Sequence, residues 1–136
     1  MTLILGYYGV GKTTIKNERW ADLTDEGRPS LSLLMYAVKK YDVVMADPTW
    51  EDVFVKSGLP FHVVVPSVDR KEEFLRNYRD RHEKGLGGGD PAFCSWVSER
   101  WFKDIKRMLS LKAVSQTVLH KGMWLSDCIQ DICKSD

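Results

Sequence analysis

Short apolar runs along the chain predict the strands of a sheet. Each clear run has four or five mostly apolar or β-branched residues and is bounded by turn-forming or charged residues, as buried strands usually are. A weaker pattern predicts one more short strand around Trp20–Leu23. The clear runs are Thr2–Leu5, Asp42–Ala46, Phe61–Val65 and Gln116–His120.

Amphipathic segments separate these runs and predict helices. In the clearest segment, from about Pro91 to Leu109, apolar residues recur every three or four positions. Because strands and helices alternate, we expect a three-layer α/β fold in one domain, with a parallel sheet of about five strands and helices on both faces. The other predicted helices are Lys12 to about Trp20, Ser30 or Ser32 to about Lys40, Trp50–Lys56, Ser67 or Asp69 to about Lys84, and Leu125 to about Cys133.

The segment after the first strand has the most specific pattern in the chain. Its sequence, GYYGVGKT, fits G-x-x-x-x-G-K-[ST] and lies between a predicted strand and a predicted helix. We expect positive φ angles at its three glycines, which would turn backbone N–H groups inward to form a nest for phosphate oxygens. The segment resembles the Walker A motif of P-loop NTPases and kinases; the alternative is a chance match. The predicted nucleotide-binding residues are Gly6, Tyr7, Tyr8, Gly9, Val10, Gly11, Lys12, Thr13 and Thr14.

Three side chains near this loop are candidates for contacts with ATP and Mg²⁺. Lys12 would place a positive charge near the β- and γ-phosphates, and the hydroxyl of Thr13 would bind Mg²⁺. Asp47 follows a hydrophobic strand, as in a Walker B motif, where a carboxylate holds Mg²⁺ directly or through water. The alternative for Asp47 is a structural role in a turn with Pro48.

An acidic loop follows the first predicted helix and contains Asp22, Asp25 and Glu26. If a short strand precedes these residues, one carboxylate would project towards the acceptor and could orient or deprotonate an attacking hydroxyl. We assign this catalytic role to Asp25, with Asp22, Glu26 and Asp47 as alternatives. Arg28 could hold an acceptor phosphate. The other explanation is a solvated polar loop.

An arginine-rich helix enters the glycine-rich segment Gly85–Gly89. Its candidate catalytic residues are Arg76, Arg79 and Arg81, because guanidinium groups can spread the charge that develops on a transferred phosphoryl group. The combination predicts a short lid over about residues 76–91. A salt-bridged surface helix is the alternative, because acidic residues are interleaved with the arginines.

The loop after the last predicted strand contains Trp124. In this architecture the loop lies near a bound base, so Trp124 could stack on the base of ATP. It could also close the hydrophobic core, and the sequence leaves both roles open.

The long predicted helix has a basic face that could be solvated or could contact nucleic acid. The sequence places no aromatic residue among these charges, so a solvated face is the default expectation. Trp96 and Trp101 on the same helix are expected to pack in the core. The basic residues are Arg100, Lys103, Lys106 and Arg107.

Composition narrows the class of protein. A formal net charge of +1 over 136 residues gives no argument for a polyanionic partner of the whole chain. No apolar stretch approaches the length of a membrane span, and the first strand begins at Met1, where a targeting segment would otherwise lie. The three cysteines are widely spaced and predict free thiols without disulfides, as in a reducing cytoplasm, that of the host cell if a phage encodes the chain.

Several segments together resemble the small P-loop kinases of bacteriophages. They are LILGYYGVGKTT, DVVMAD, VVVPSVDRKEEFLRNYRDRH, a tryptophan-bearing helix and LHKGMWLSDCI. These kinases look like reduced nucleoside monophosphate kinases. Some phosphorylate nucleotides, and others phosphorylate 5-hydroxymethyluracil within phage DNA. The resemblance implies that Lys12 and Thr13 bind ATP and Mg²⁺, that Asp47 supports the metal and that the arginine helix serves the lid. The chain departs from the family in having glycines where a compact turn is usual.

The sequence favours a kinase that transfers the γ-phosphoryl group of ATP to a nucleotide-type acceptor. That acceptor is either a (deoxy)nucleoside monophosphate or the hydroxymethyl group of a modified DNA base. The alternatives are a P-loop ATPase and a nucleotide-binding module without an acceptor. Arginines beside a glycine-rich lid suit phosphoryl transfer better than simple hydrolysis.

Overall fold

The computed structural model describes residues 1–136, apart from the side chain of Asp25. Its centre is one sheet of five parallel strands, in the order β2-β3-β1-β4-β5. The predicted short strand after the first helix is confirmed, and so is the all-parallel sheet. The strands are β1 (Thr2–Gly6), β2 (Trp20–Asp22), β3 (Val43–Ala46), β4 (His62–Pro66) and β5 (Ser115–Leu119).

Strand β1 lies in the middle of the sheet and is buried along its whole length. It pairs with β3 on one side and with β4 on the other. The chain leaves β1 towards β2 at one edge of the sheet, whereas it leaves the neighbouring β4 towards β5 at the other edge. A crevice opens at the carboxyl ends of strands where the direction of the connections reverses, so the fold favours a ligand site just after β1.

Six α-helices connect and follow the strands. Their bounds agree with the predicted ones to within a few residues, except for the first helix. The sheet and its connecting helices are consistent with the predicted three-layer architecture. The helices are α1 (Lys12–Ile15), α2 (Leu31–Lys40), α3 (Glu51–Ser57), α4 (Lys71–Glu83), α5 (Pro91–Leu109) and α6 (Leu125–Lys134).

Helix α1 is shorter than the sequence predicts. It ends at Ile15, and Lys16 is already extended. The side chain of Asn17 accepts hydrogen bonds from the backbone N–H groups of Arg19, at 2.8 Å, and Trp20, at 3.0 Å. These bonds stabilise a turn that competes with further helix, and the chain enters β2 directly after it.

The segment that follows β3 begins with a side-chain cap. Asp47 provides the cap, because its carboxylate accepts bonds from the backbone N–H of Thr49, at 3.0 Å, and from the hydroxyl of the same residue. A 3₁₀ turn over Pro48–Trp50 follows and leads into α3. Proline fits at the start of this turn because its missing N–H would have no partner there.

Helix α5 is packed against the loop that follows β1. Trp101, at the middle of the helix, is fully buried, and its indole N–H donates to the carbonyl of Val68 at 2.9 Å. Its ring lies 5.4 Å from that of Tyr7 and 5.7 Å from that of Phe74. The prediction that Trp101 packs in the core is confirmed, and the contact with Tyr7 fixes the start of the candidate nucleotide-binding loop.

A polar cluster lies at the amino-terminal ends of the strands, opposite the carboxyl ends where a ligand site is favoured. His62 is buried at the start of β4, and its ring nitrogens lie 2.7 Å from the hydroxyl of Ser115 and 2.6 Å from the carboxylate of Asp136. Partial burial would raise the pKa of Asp136, but hydrogen bonds from Thr2 and His62 outweigh it and lower that pKa below its ordinary value. The cluster therefore ties α6 to the sheet through an ionised carboxylate.

Replacing Asp136 with asparagine should lower stability by about 1 kcal/mol near neutral pH, because a hydrogen-bonded charge is lost. A lowered pKa means that this contribution is present above the ordinary pKa of aspartate and is lost as the pH falls through the folded-state value. Melting temperatures of the two proteins should thus differ at pH 7 and converge as the pH falls well below 4. The exposed Asp131→Asn is the matched control; a difference that stays constant with pH would contradict the assignment.

Candidate active site

A cleft of about 920 Å³ lies at the carboxyl ends of the central strands. Its lining comes from the loop after β1, the ends of β2 and β3, helix α4 with the glycine-rich loop, and the first turns of α5. The volume is within the range of small-molecule sites. The predicted site residues that line it are Tyr8, Gly9, Gly11, Lys12, Thr13, Thr14, Asp47, Arg81 and Trp124.

Two of the three loop glycines have the predicted conformation. The φ angles are +84° at Gly9 and +110° at Gly11, a region that favours glycine. The prediction of a positive φ at Gly6 is wrong, because Gly6 is the last residue of β1. Glycine is needed there for space, since a Cβ would lie 3.0 Å from a methyl group of Val10.

Helix α4 packs against the loop that follows β1. A Cβ on Gly9 would lie only 2.8 Å from the ring of Tyr78, so the loop backbone and this ring are in close contact. The hydroxyl of Tyr78 donates to the carbonyl of Tyr8 at 2.6 Å. Burial, followed by the neighbouring tyrosines, raises the pKa of Tyr78, so the phenol stays protonated and keeps this donor.

The amine of Lys12 is held inside the loop. It donates to the carbonyls of Gly6 and Tyr7, both at 2.8 Å, and the residue is buried. Lys12 is also the first residue of α1, so its side chain turns back across the loop from the helix start. The side chains of Tyr7 and Val10, like Gly6, are buried away from the cleft, so only backbone groups of these three predicted residues are available near a ligand.

Two buried carboxylates line the cleft at the ends of neighbouring strands. Asp22 ends β2 and Asp47 follows β3, and the two are 5% and 7% exposed. Each accepts a hydrogen bond from the backbone N–H two residues further on, at 3.1 Å from Thr24 and 3.0 Å from Thr49. These turns fix both carboxylates, and each keeps oxygen lone pairs for further partners.

The structure changes the order of preference among the acidic candidates. Asp25, to which the sequence assigned the base, lies in a 3₁₀ turn over Leu23–Asp25, but its side chain is outside the described part of the structure. Glu26 and Arg28 are exposed, and neither is among the residues that line the cleft. Of the described acidic side chains in this loop, Asp22 is the one in the cleft.

The glycine-rich loop forms one wall of the cleft, at the position predicted for a lid. Its Leu86, Gly87, Gly88 and Gly89 line the cleft. Gly89 is packed against α4 so tightly that a Cβ would lie 1.9 Å from the carbonyl oxygen of Tyr78. The loop is thus anchored at its end, directly before α5 begins.

The three predicted arginines have different positions on α4. Arg81 lines the cleft beside Asn77 and Tyr78, whereas Arg76 and Arg79 do not. All three are exposed. A helix turns by about 100° per residue, so residues 77, 78 and 81 share one face while 76 and 79 point elsewhere.

Trp96 is not in the core as predicted. It is 42% exposed and lines the cleft, with its ring 6.0 Å from that of Tyr8 and 6.3 Å from that of Phe93. Trp96 follows Phe93 by three residues and precedes Arg100 by four, which places the three on one helical face. That spacing is the sequence signal that could have identified it.

The basic face of α5 also differs from the prediction. An aromatic residue does lie among its charges, since the guanidinium of Arg100 is 5.0 Å from the ring of Trp96. Arg100 and Arg107 both bind the buried carboxylate of Asp104, and Arg107 also binds Glu51. Much of the positive charge on this face is therefore paired.

Trp124 packs against the core and also lines the cleft, so its predicted stacking on a base stays a prediction. Its ring stacks on Phe74 at 5.6 Å, and it also lines the cleft. The guanidinium of Arg70 lies 4.7 Å from the same ring. One side of Trp124 is thus held by α4, while the residue remains only partly buried.

The chain has no match among the comparisons with known proteins. No protein-family model and no curated protein matches the sequence, and no solved structure matches the fold. No helix of the described chain combines the length and apolar character that a bilayer crossing requires. Cys94, Cys128 and Cys133 form no disulfide. Function is therefore inferred from the arrangement of groups in the cleft.

Proposed function

We propose that this chain is an ATP-dependent kinase with a P-loop fold. It transfers the γ-phosphoryl group to a nucleotide-type acceptor, either a (deoxy)nucleoside monophosphate or the hydroxymethyl group of 5-hydroxymethyluracil in DNA. The observation that carries the proposal is the placement of Lys12, whose amine binds two carbonyls of the loop in a cleft with two buried carboxylates. Burying a lysine is costly, and a chance strand–turn–helix match gives no reason for it.

The residues of the loop and the strand ends fit ATP with Mg²⁺. Positive φ angles at Gly9 and Gly11 are the conformations in which backbone N–H groups converge on an anion. The hydroxyl of Thr13 and the carboxylate of Asp47 are hard oxygen ligands of the kind that Mg²⁺ prefers. When bound, the ion would supply positive charge to the β- and γ-phosphates.

Phosphoryl transfer requires little covalent chemistry from the protein. As the acceptor oxygen bonds to the γ-phosphorus, the bond from that phosphorus to the bridging β-oxygen breaks and ADP leaves. The amine of Lys12 would stabilise negative charge on the phosphate oxygens. With a hydroxyl acceptor, the carboxylate of Asp22 would take the proton, in the role that the sequence gave to Asp25.

Arg81 is the lid arginine that the structure favours for transition-state contacts. Arg81→Ala should lower kcat roughly 10²-fold while the affinity for ATP changes little, because the guanidinium would act mainly on charge developing during transfer. Arg76→Ala, about 1.4 helical turns away and outside the cleft, is the matched control and should leave kcat within about threefold. Equal losses in the two variants would indicate a general electrostatic effect of α4 and would contradict the assignment.

The second candidate is a P-loop ATPase or a nucleotide-binding module without an acceptor. The open cleft beyond the loop, which includes several aromatic side chains, argues for an acceptor, since hydrolysis alone needs room only for water. A single experiment separates the two. The protein is incubated with γ-³²P-labelled ATP, Mg²⁺ and, separately, nucleoside monophosphates and DNA containing 5-hydroxymethyluracil. Label on an acceptor supports the kinase; release of phosphate alone would reject it.

A further inference from the structure

Three aromatic side chains form a continuous surface on one wall of the cleft. We call Tyr8, Phe93 and Trp96 the aromatic ledge. The ring of Tyr8 lies 5.3 Å from that of Phe93 and 6.0 Å from that of Trp96, and the rings of Phe93 and Trp96 are stacked with an interplanar angle of 30°. Single exposed aromatic residues are ordinary, but adjacent rings inside a concave site are typical of ligand pockets.

Contacts with neighbouring side chains hold the ledge in place. Phe93 contacts the ring of Tyr78 at 5.2 Å, and its backbone N–H is capped by Asp90 at 2.7 Å. The guanidinium of Arg100 lies 5.0 Å from the indole of Trp96 and is itself bound to Asp104. A surface ordered in advance loses little conformational freedom when a ligand binds, which favours affinity.

The ledge lies beside the loop that follows β1, in the same cleft as the buried carboxylates of Asp22 and Asp47. Tyr8 directly precedes Gly9, so its ring is one residue from the nest. Asp47, which follows β3, lines the same cleft as the ring of Tyr8. Trp124 follows β5, on the other side of β1. The cleft thus contains Trp124 in addition to the ledge, and different elements carry the two.

We propose that the aromatic ledge binds the nucleobase of the acceptor by stacking on Trp96, while Tyr8, whose ring is inclined by 71° to the indole, contacts the base with its edge. The proposal rests on the proposed kinase function, and it assigns the acceptor base to a place that is separate from Trp124. A planar heteroaromatic ring matches the ledge, and the amide of Asn77, in the same cleft, offers both a donor and an acceptor to a base edge. The base can belong to a free nucleotide or to a single-stranded segment of DNA.

Trp96→Leu tests the proposal by direct binding. Removal of a stacking partner typically costs a nucleobase site about 5- to 150-fold in affinity. Calorimetry with thymidine 5′-monophosphate and anisotropy with a labelled oligothymidylate should show such a loss for whichever probe the wild type binds. Trp96→Phe, which keeps a ring, should stay within about threefold of the wild type. The affinity for ATP should not change in either variant.

The controls separate this inference from the kinase assignment. Phe102→Leu removes an aromatic side chain that is 60% exposed on the same helix and outside the cleft, and should leave binding unchanged. Trp96→Gln is a second truncation, compatible with folding because the ring is partly exposed. If binding of a probe depends on Trp96 but no phosphoryl group is transferred, the base-binding role of the ledge stands and the kinase function is rejected. Three results would each overturn the proposed role of the ledge. They are that the wild type binds neither probe, that Trp96→Leu binds as tightly as the wild type, or that the substitution lowers the affinity for ATP instead.

Discussion

Lys12→Ala should lower phosphoryl transfer about 10³-fold, the size of effect seen when a charge-stabilising group is removed from a transition state. The amine of Lys12 is a cation buried in the loop, where it lies 2.8 Å from the carbonyl oxygens of Gly6 and Tyr7. Because the charge on the γ-phosphate and the bridging oxygen develops during transfer, kcat should fall more than the affinity for ATP. Single-turnover transfer of labelled phosphate, with ATP binding measured separately, checks this.

The control for Lys12 must exclude a collapse of the loop. Lys56→Ala removes an exposed lysine on α3, outside the residues that line the cleft, and should retain activity. Circular dichroism and the melting temperature of Lys12→Ala should show a folded protein. If folded Lys12→Ala transfers phosphate at a rate within tenfold of the wild type, the loop is not the donor site.

Asp22→Asn should lower transfer to a hydroxyl acceptor by roughly 10²- to 10⁴-fold, the usual contribution of a general base. The substitution is selective, because asparagine can still accept the bond from the backbone N–H of Thr24 that now fixes the turn. The loss should be much smaller with a nucleoside monophosphate, whose phosphate oxygen needs no base. Comparing the two acceptors in one assay separates catalysis by the carboxylate from a general disturbance of β2.

Glu26→Gln is the matched control for Asp22. It removes a carboxylate from the same loop, but one that is exposed and does not line the cleft. Asp47→Asn serves as a comparison in which the Mg²⁺ concentration required for half-maximal activity should rise. An Asp22→Asn protein that is fully active on 5-hydroxymethyluracil DNA would remove Asp22 from the mechanism.

Local patterns in the sequence were sufficient for most of the fold. Thr2–Leu5 is mostly apolar and carries no charge because β1 is buried on both faces, and this requirement is visible without any knowledge of the tertiary structure. The bounds of α5 could be predicted because proline, the capping residue Asp90 and regular apolar spacing all indicate the same helix. Helix α1 was overestimated because a hydrogen-bonded turn at Asn17 replaces its last turns.

The parts of the site that the sequence missed depend on contacts between distant segments. Tyr8 and Trp96 are neighbours in space, but no periodicity connects a loop after β1 with a helix near the end of the chain. The difference between Arg81 and Arg79 follows from the rotation of α4, which packing alone determines. Asp22 was an alternative, and its burial at the end of β2 separates it from the exposed Glu26.

The buried guanidinium of Arg70 links the two ends of the cleft. It donates to the carbonyls of residues 119, 120 and 123, binds both oxygens of Glu73, and lies 4.7 Å from Trp124. The start of α4 and the loop that carries Trp124 are therefore joined by one buried side chain. In the proposed kinase, a movement of α4 would displace Trp124 as well. A ligand contact that depends on this movement would then be coupled to a contact at Trp124, equally in both directions.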